Sequence, residues 1–367
     1  ALLTLGVTGT NGKTTTSPLI GDVLRGSGRS TEVFGTLSGK HTTPEAPDLQ
    51  RNLARARDAG VAAVAMEVSS HALVLHRVAG AHVDVSVFTN LGRDHLDFHG
   101  TEERYFAAKA MLFAPTLASH GVVNTDDLHG RLLFDTAPIP MTAFSIDDAI
   151  DVEVGPTHHA YTWRGQRVRV RIGGAFNVMN SLAAATACSV AGLDERTIAD
   201  ALVEARPVPG RFEPIDAGQS FSVVVDYAHT PDGLREALRA ARAAVGDHQV
   251  IVVFGCGGDR DRDKRPEMGE AAATLADRVV ITSDNPRSED PQAIIDATLA
   301  GVPSGYRDRA VTEPDRRTAI ALALGLAAPG DIVVVAGKGH EATQTIGDQV
   351  LPFDDRAVAR ELLEAHS

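Results

Sequence analysis

Short apolar runs alternate with Ala-rich amphipathic stretches along most of the chain. The runs are rich in Val and Ile and have few polar positions, which is typical of parallel strands buried on both faces. In the stretches between them, apolar residues recur every three or four positions, as Leu234, Leu238 and Val245 do, and this spacing predicts crossover helices. The alternation predicts an α/β fold. The strand-like runs are residues 1–7, 61–66, 83–88, 250–254, 279–282 and 332–336.

Two segments in the middle of the chain break this pattern. In residues 151–172 apolar and polar positions alternate, which predicts antiparallel strands, and a helix is predicted from Asn180 to Ala191. Residues 206–211 (RPVPGR) then form a stiff segment that is typical of a domain boundary. We therefore predict a central, mostly parallel-sheet domain over residues 1–207 and a Rossmann-like α/β domain over residues 208–367.

Composition narrows the class of protein. Hydrophobic residues make up 43% of the chain and charged residues 23%, as in an ordinary globular enzyme. The net charge of −13 argues against nucleic acid as a partner, and no apolar run reaches the roughly 20 residues of a membrane helix. Cys188 and Cys256 lie far apart, without metal-ligand spacing, which indicates reduced thiols in a cytoplasmic protein. Because the chain starts without Met or a signal peptide, we expect it to be processed or cut from a longer protein.

A glycine-rich loop, GVTGTNGKTTT (residues 6–16), follows the first strand and leads into a helix. Its glycines allow backbone N–H groups to point at phosphate oxygens, Lys13 would neutralise the terminal phosphates, and the Thr14 hydroxyl suits Mg²⁺. Val7 occupies the position of the first glycine of a standard P-loop, so this loop is a variant. The alternative, an ordinary glycine-rich turn, does not account for the Gly-Lys-Thr-Thr ending. The loop by itself predicts a nucleoside triphosphate site without specifying the reaction, and we expect the central domain to be a P-loop ATPase.

Two further segments follow predicted strands of the same domain. Glu67 and His95 each lie just past a strand, where α/β active sites form, so the two side chains could share a metal ion. Mg²⁺ favours oxygen ligands, which makes Glu67 the more usual ligand. A purely structural role is the alternative for His95.

Lys109 lies in a predicted helix over residues 103–113 and shares a face with Tyr105, Phe106 and Leu112. A lysine on an apolar face must lose its charge or find a partner. The alternative is a side chain that extends along the face to place its ammonium in water.

Dense charge follows three predicted strands of the second domain. Arg260 and Arg287 can bind carboxylates bidentately, while Asp284 and Glu341 can bind an ammonium. An amino acid with an extra zwitterionic end needs both kinds of group, although any one loop alone could be a solvated loop of mixed charge. The three charged segments are residues 255–266, 282–291 and 337–341.

The sequence TGTNGKTT (residues 8–15) resembles the ATP loop of the Mur ligase family, which includes cell-wall amino-acid ligases and folylpolyglutamate synthetases, and the resemblance extends over nearly the whole chain. It implies a ligase that uses ATP and Mg²⁺ to activate a carboxylate as an acyl phosphate and join it to an amine, with small molecules as substrates. For Asn180, a helix cap is the alternative to a nucleotide contact. The ATP-binding residues that the resemblance implies are Gly9, Thr10, Asn11, Gly12, Lys13, Thr14, Thr15, Asn180, Arg211, Asp226 and His229.

The motif YFAAK (residues 105–109) resembles the family motif whose lysine reacts with CO₂ to become a carbamate and then binds a second Mg²⁺. The catalytic residues implied in this way are Lys13, Glu67, His95 and Lys109. The implied metal ligands are Thr14, Glu67, His95 and Lys109 as its carbamate.

The motif DNPR (residues 284–287) is similar to that of family members that add meso-diaminopimelate, not L-lysine, to UDP-MurNAc-L-Ala-D-Glu in peptidoglycan synthesis. The expected amino-acid-binding residues are Arg260, Asp284, Asn285, Arg287, Gly337 and Glu341. The expected acceptor-binding residues are Thr42, Thr43, Ser69 and Arg77.

The family's N-terminal domain has no counterpart here, so we expect it to have been removed or to be supplied by a separate acceptor-binding domain or protein. Two alternatives stay open at this point. One is a stand-alone enzyme that joins an amino acid to another carboxylate, and the other is a protein that holds ATP without catalysis.

Overall fold

A computed structural model describes residues 2–39 and 41–365. The chain divides into two compact units, and the main boundary falls between Arg206 and Pro207, one residue before the predicted one. Two short segments, Val154–His158 and Ile172–Ala175, belong to the second unit. The first unit comprises Ala1–Glu153, His159–Arg171 and Phe176–Arg206, and the second comprises those two segments and Pro207–Ser367.

A six-stranded sheet, parallel throughout, forms the centre of the first unit, in the order β2-β3-β1-β4-β5-β6. Its strands are β1 Leu3–Thr8, β2 Thr31–Phe34, β3 Ala63–Glu67, β4 Val83–Phe88, β5 Ala118–Asn124 and β6 Met141–Phe144. Val7 pairs with Glu67 on β3, and Thr8 pairs with Phe88 on β4. The carboxyl ends of β1, β3 and β4 therefore lie side by side, where ligands bind in open α/β sheets.

Helices cover this sheet and bury its apolar strands. All five residues of β3 are buried, and Val64, Met66, Val83 and Phe88 lie in one apolar cluster with Leu112. Each such side chain stabilises the fold by about 1.5–3 kcal/mol through removal from water. The helices of this unit are α1 Lys13–Gly26, α2 Ala46–Asp58, α3 Ser70–Val74, α4 Leu96–His99, α5 Glu102–Ala110, α6 Leu128–Thr136, α7 Phe176–Val190 and α8 Glu195–Val203, with short 3₁₀ turns at Met111–Phe113 and Ile146–Asp148.

A small three-stranded sheet carries the alternating pattern of the sequence. Its strands β8 and β9 are antiparallel, as predicted, with Tyr161 opposite Val168. The helix that follows begins at Phe176 instead of Asn180. Asn180 is therefore inside α7, and the interpretation of Asn180 as a helix cap is wrong. The strands are β7 Ile150–Val154, β8 His159–Trp163 and β9 Gln166–Val170.

The second unit has its own six-stranded sheet, in the order β10-β11-β15-β12-β13-β14. Its pairings are parallel except that of β10 with β11. The strands are β10 Glu213–Pro214, β11 Ser222–Asp226, β12 Val250–Cys256, β13 Arg278–Ser283, β14 Ala310–Thr312 and β15 Ile332–Ala336, followed by a hairpin of β16 Thr343–Ile346 and β17 Gln349–Pro352. The helices are α9 Pro231–Val245, α10 Lys264–Leu275, α11 Pro291–Ala300, α12 Arg316–Gly325 and α13 Asp355–Glu364, with a 3₁₀ turn at Ser304–Arg309.

Phe254 on β12 pairs with Ile281 of β13 on one side and with Ala336 of β15 on the other. The carboxyl ends of these three strands are therefore neighbours. In the described part of the chain, no helix is both long enough and apolar enough to cross a membrane.

Candidate active site

The glycine-rich loop joins β1 to α1 and is held by the residues that follow β4. Thr10 N–H donates to Asn90 O at 2.9 Å, and the Thr89 hydroxyl donates to Asn11 O at 2.6 Å. Gly9 and Gly12 have φ values of 149° and 87°, which side-chain-bearing residues rarely adopt. The loop therefore needs glycine at both positions.

Lys13 is the first residue of α1 and folds back over the loop. Its Nζ donates to Gly9 O at 2.8 Å and to Thr10 O at 2.9 Å. The first turn of α1 carries no acidic residue. A helix N-terminus with N–H groups, a partial positive charge and a lysine is a site for an anion such as phosphate.

Helix α7 brings Asn180 against this loop. A Cβ atom on Gly12 would lie only 2.3 Å from Asn180 Oδ1. The Asn180 amide donates to Asn177 Oδ1 at 2.8 Å, and both residues are buried. The structure thus places Asn180 beside the loop, while its contact with a nucleotide stays a prediction.

The Glu67 carboxylate lies at the end of β3, next to the start of α1. The Thr14 hydroxyl donates to Glu67 Oε2 at 2.9 Å, and Thr36 N–H donates to Oε1 at 2.8 Å. Glu67 is 2% exposed. Gly35 lies so close that a Cβ there would be 2.2 Å from Oε1. The carboxylate is therefore held by Thr36 in the loop after β2, a residue that sequence reasoning did not assign to the site.

The four residues predicted to bind the acceptor surround the backbone of Glu67. The Thr43 hydroxyl donates to Glu67 O and accepts from Ser69 N–H, both at 3.0 Å. Thr42 and Thr36 share a hydroxyl contact of 2.9 Å, and Arg77 Nη1 donates to Thr43 O at 3.4 Å. Thr43, Ser69 and Arg77 are thus linked to one another, whereas Thr42 is linked to Glu67 through Thr36. The acceptor role of all four stays a prediction.

Lys109 lies on α5 and is 1% exposed. Its Nζ donates to Gly9 O at 2.7 Å and lies 4.4 Å from the centre of the Tyr105 ring. The interpretation of Lys109 as a side chain that reaches water is therefore wrong. Burial lowers the pKa of Lys109 well below its usual range, and the nearby charge of Lys13 acts in the same direction. The Lys109 amine thus contacts the glycine-rich loop, and its burial favours the uncharged form.

His95 starts α4 and is one of several rings near Lys109. Its ring centre lies 4.8 Å from that of His71 and 6.0 Å from that of Tyr105, and its Nε2 lies 3.4 Å from Asp94 Oδ2. His99 stands 4.9 Å from Tyr105 and is within hydrogen-bonding distance of Ser70 Oγ, at 2.9 Å. Partial burial lowers the pKa of His71, His95 and His99. These rings are therefore mostly neutral at pH 7, and a neutral imidazole can bind a metal.

A metal shared by Glu67 and His95 stays a prediction. Across residues 2–39 and 41–365, no three His, Cys, Asp or Glu side chains form a cluster that could bind a metal by themselves. Mg²⁺ usually takes one or two carboxylates and completes its shell with water and substrate phosphates. The buried Glu67 carboxylate and the Thr14 hydroxyl next to an anion site fit that requirement.

In the second unit, the three charged segments meet. Arg287 Nη1 donates to Gly258 O at 2.7 Å, which joins the segments after β13 and β12. The Asn285 amide donates to Glu341 Oε2 at 2.9 Å, which joins the segments after β13 and β15. Arg260 is exposed, and its Nη1 donates to the neighbouring Asp259 O at 3.5 Å. The three segments are therefore not independent loops, although Arg260 itself is exposed to solvent.

An ion pair that sequence reasoning missed holds the same loops. Arg265 donates to both oxygens of Glu289, at 2.8 and 3.1 Å, and Asp259 N–H donates to Oε1 at 2.7 Å. The hydrogen bonds from Arg265 lower the pKa of Glu289 to about 2. Dense charge in residues 255–266 was visible in the sequence, but nothing there showed which carboxylate would pair with which arginine.

The charged segments that follow β12, β13 and β15 form one rim at the carboxyl ends of these strands. Gly337 lies on this rim with a φ of 114°, and a Cβ atom on it would lie 3.7 Å from Asp284 Oδ2. Asp284 and Asn285 are buried, whereas the Glu341 side chain is 35% exposed. The rim therefore presents carboxylates and a guanidinium at the ends of three neighbouring strands.

Arg211 and Asp226 lie next to this rim, where Gly337 N–H donates to Asp226 O at 3.1 Å. Asp226 Oδ2 accepts from Phe212 N–H at 2.7 Å, and Arg211 lies over the Tyr227 ring at 4.7 Å. Burial raises the pKa of Asp226, against the effect of the nearby Arg211. The His229 ring is 4.5 Å from that of Tyr227. Three of the residues predicted to bind ATP are thus neighbours, namely Arg211, Asp226 and His229, and their nucleotide role stays a prediction.

The family described as the Mur ligase middle domain matches residues 7–188, and that described as the Mur ligase, glutamate ligase domain matches residues 210–339. The UDP-N-acetylmuramoyl-L-alanyl-D-glutamate–2,6-diaminopimelate ligase of Streptomyces avermitilis is 49% identical over 387 residues, which is 99% of this chain and 76% of that protein. The chain belongs to the Mur ligase family. The similarly named Mur ligase of Geobacillus thermodenitrificans is 47% identical over 97% of this chain and 78% of its own length.

Solved structures of Mur ligases agree with this assignment. A structure described as UDP-N-acetylmuramoyl-L-alanyl-D-glutamate–2,6-diaminopimelate ligase matches with a TM-score of 0.70 and 37% identity, over 100% of this chain and 79% of that one. A folylpolyglutamate synthase of Mycobacterium tuberculosis also has a TM-score of 0.70, at 16% identity, which shows a shared fold alone. Mur ligases use ATP and Mg²⁺, and this chain is accordingly an ATP-dependent carboxylate–amine ligase.

Proposed function

We propose that this chain joins meso-diaminopimelate to UDP-MurNAc-L-Ala-D-Glu through an acyl phosphate, in peptidoglycan synthesis. The observation that carries the proposal is the rim at the ends of β12, β13 and β15. There Arg287 donates to Gly258 O, and Glu341 accepts from the Asn285 amide. The substrates named for the Streptomyces and Geobacillus relatives support the same reaction. Because ATP and nucleotide-linked precursors are cytoplasmic, the proposal places the reaction in the cytoplasm.

The carboxylate half of the reaction brings two anions together, namely the acceptor carboxylate and the γ-phosphate of ATP. Lys13 and the N-terminus of α1 oppose that charge on the phosphate side. Thr14 and Glu67 would hold Mg²⁺, which when bound offsets the repulsion between the two anions. An oxygen of the acceptor carboxylate attacks the γ-phosphorus of ATP, and the bond from that phosphorus to the ADP oxygen breaks, which gives the acyl phosphate and ADP. The amine nitrogen then attacks the acyl carbon, the bond from carbon to the phosphate oxygen breaks, and an amide and inorganic phosphate form as the amine loses a proton.

Lys109 is proposed to carry a carbamate. Its amine, in the uncharged form, would add to the carbon of CO₂ and lose one proton, so that an uncharged amine becomes an anionic oxygen ligand. The support for this step is the burial of Lys109, the lowered pKa of its amine and its 2.7 Å contact with the phosphate loop at Gly9. An oxygen anion at this position would suit a second Mg²⁺, with His95 as a further candidate ligand.

The rim explains a preference for diaminopimelate over L-lysine. Diaminopimelate carries a second carboxylate on the carbon that bears its distal amine, and L-lysine has a hydrogen there instead. Arg287 and Arg260 would bind this carboxylate, while Glu341 and Asp284 would bind the ammonium beside it. A site that is built to pair with a polar group rejects an analogue that lacks it, because the site's own groups are then left unpaired.

The acceptor is assigned to the group around Glu67 that contains Thr42, Thr43, Ser69 and Arg77. Its hydroxyls and guanidinium suit the amide and carboxylate groups of a short acidic peptide. The contact of Thr43 with Glu67 O supports an acceptor position close to the proposed metal ligand.

The test is an ADP-release assay with Mg²⁺, ATP and either diaminopimelate or L-lysine, with UDP-MurNAc-L-Ala-D-Glu as acceptor. Turnover that needs both diaminopimelate and this acceptor, with a product mass equal to their sum minus water, supports the proposal. Arg287→Ala should lose the preference for diaminopimelate over L-lysine. Turnover only with another carboxylate, or ATP binding without any turnover, would overturn the proposed function.

A further inference from the structure

Lys338 is a fully buried cation that the proposed reaction does not use. It follows β15, between Gly337 and Gly339, and its side chain is 0% exposed. A charged group buried to this extent must be paired and hydrogen-bonded, because its loss of hydration otherwise costs several kcal/mol. The partners of Lys338 therefore indicate what it does.

The Lys338 ammonium contacts three of the residues proposed to bind the amino acid. Its Nζ lies 3.3 Å from Glu341 Oε2 and 3.6 Å from Asp284 Oδ1. It also donates to Asn285 Oδ1 at 3.4 Å and to Thr343 O at 2.6 Å. One ammonium thus joins the segment after β13, the segment after β15 and the first residue of β16.

Asn285 extends this arrangement. Its amide donates to Glu341 Oε2 at 2.9 Å and to Asp284 Oδ1 at 3.4 Å, and its own Oδ1 accepts from Thr345 N–H at 2.9 Å. The orientation of the amide is set by these partners, since its nitrogen faces two carboxylates and its oxygen faces two donors. The carboxylates of Asp284 and Glu341 are thereby held together on one side of Lys338.

The charge of this group matches one end of a zwitterionic ligand. Two carboxylates at this distance from a single ammonium would repel each other without it. With Lys338 in place, the three side chains carry a net charge of about −1, which one ligand ammonium balances. The ligand carboxylate beside that ammonium would then face Arg287, which reaches the rim from the segment after β13.

We propose that Lys338 is a positioning residue for the amino-acid substrate. It holds the carboxylates of Asp284 and Glu341 and the amide of Asn285 in the arrangement that accepts the distal ammonium of the substrate, without contacting the substrate itself. This inference rests on the proposed function, because it takes the rim to be the amino-acid site.

A purely structural role is the competing explanation, since Lys338 also ties the start of the β16–β17 hairpin through Thr343 O. The two roles differ in what they change. Loss of a structural tie lowers stability and affects every substrate, whereas loss of a positioning residue raises the KM for the amino acid selectively.

The experiment compares Lys338→Met with a matched control, Val333→Ala, in the full chain. Val333 is a buried residue of the apolar cluster on β15, remote from the rim loops in the strand register, so its truncation lowers stability without changing the rim. For Lys338→Met we expect the KM for diaminopimelate to rise about tenfold to a hundredfold, because the carboxylates of Asp284 and Glu341 lose their shared partner. The KM for ATP should stay at the wild-type value in both variants.

A double-mutant cycle with Glu341→Gln makes the test specific. If Lys338 acts through Glu341, then Lys338→Met should raise the KM for diaminopimelate much less in the Glu341→Gln background than in the wild type. Equal effects in both backgrounds would overturn the proposal, and so would KM values for ATP and diaminopimelate that rise together. If Lys338→Met does not fold, Lys338→Gln repeats the measurement, since it loses the charge but can still donate to Thr343 O.

The wild-type enzyme separates this proposal from the proposed function. If the wild type uses a different amino acid, the proposed function fails, and the KM measurements are repeated with that amino acid. A wild type that uses diaminopimelate together with an unchanged KM in Lys338→Met overturns the role of Lys338 alone.

Discussion

Substitution of Gly35 tests the role of the Glu67 carboxylate while Glu67 itself stays unchanged. The backbone at Gly35 is outside the left-handed region, so alanine is compatible with it. A Cβ atom there would nevertheless lie 2.2 Å from Glu67 Oε1 and 2.8 Å from Cδ and Cγ of the same side chain. Gly35→Ala must therefore move the carboxylate.

The size of the effect follows from these distances. To reach ordinary van der Waals contact with a new methyl group, Oε1 must retreat by roughly 1 Å. That shift lengthens the 2.8 Å hydrogen bond from Thr36 N–H and displaces the oxygen that accepts from Thr14 at 2.9 Å. Misplacement of a catalytic group by about 1 Å can cost roughly a hundredfold in rate, which corresponds to about 2.7 kcal/mol of transition-state stabilisation.

The assay is the initial rate of ADP release as a function of Mg²⁺ concentration, measured beside Gly39→Ala as the matched control. Gly39 lies in the same loop, and a Cβ on it would meet no atom closer than 3.7 Å, the distance to His41 O. We expect kcat/KM to fall about a hundredfold in Gly35→Ala, with a raised Mg²⁺ requirement, and to stay near wild type in Gly39→Ala. Equal kcat/KM values in two variants that both fold, as judged by circular dichroism, would refute the assignment of Glu67 as a metal ligand.

Three other predictions follow from buried or paired charges. Lys109→Ala should lower kcat, measured by ADP release, by at least about a hundredfold, and added short carboxylates should restore activity. Full activity of this variant without added carboxylates would contradict the proposal that Lys109 carries a carbamate. Because Arg265 lowers the pKa of Glu289 from its ordinary 4.5 to about 2, this pair stabilises the fold fully above pH 4.5 and stops doing so as pH falls through 2. The difference in Tm between wild type and Glu289→Gln should thus be largest at neutral pH and shrink in acid, and a difference that does not change with pH would contradict this. Arg316→Met should destabilise the protein by about 3–5 kcal/mol in urea unfolding, since it leaves Asp355 buried without its partner. The two side chains lie 2.7 Å apart and are both 0% exposed. Equal losses of unfolding free energy in Arg316→Met and in the double variant with Asp355→Leu would argue against this reason.

Much of the fold was predictable because its signals are local. A strand that is buried on both faces must be apolar at nearly every position, so the runs that became β3, β4, β12, β13 and β15 were visible as runs. The glycine-rich loop was equally visible, since its backbone conformation requires glycine at positions 9 and 12. The motif DNPR predicted a diaminopimelate-adding ligase, in agreement with the names of the relatives, while the amino-acid-binding role of these residues stays a proposal.

Other predictions needed the packed structure. Helical spacing placed Lys109 on an apolar face, but spacing cannot say whether that face meets protein or water, and the contact with Gly9 O decided it. Asn180 could have begun a helix, and its position inside α7 followed from an earlier helix start at Phe176.

By itself, the sequence determined the α/β class, the phosphate loop and the residue types of both proposed substrate sites, because each depends on neighbours along the chain. Only the tertiary structure decided which of those residues meet. The backbone N–H of Thr36 holds Glu67 across 31 positions, and Lys338 gathers Asp284 and Glu341 from the ends of two strands. A backbone donor leaves no mark in a sequence, and a buried lysine between two loops resembles an exposed one until the strands are paired.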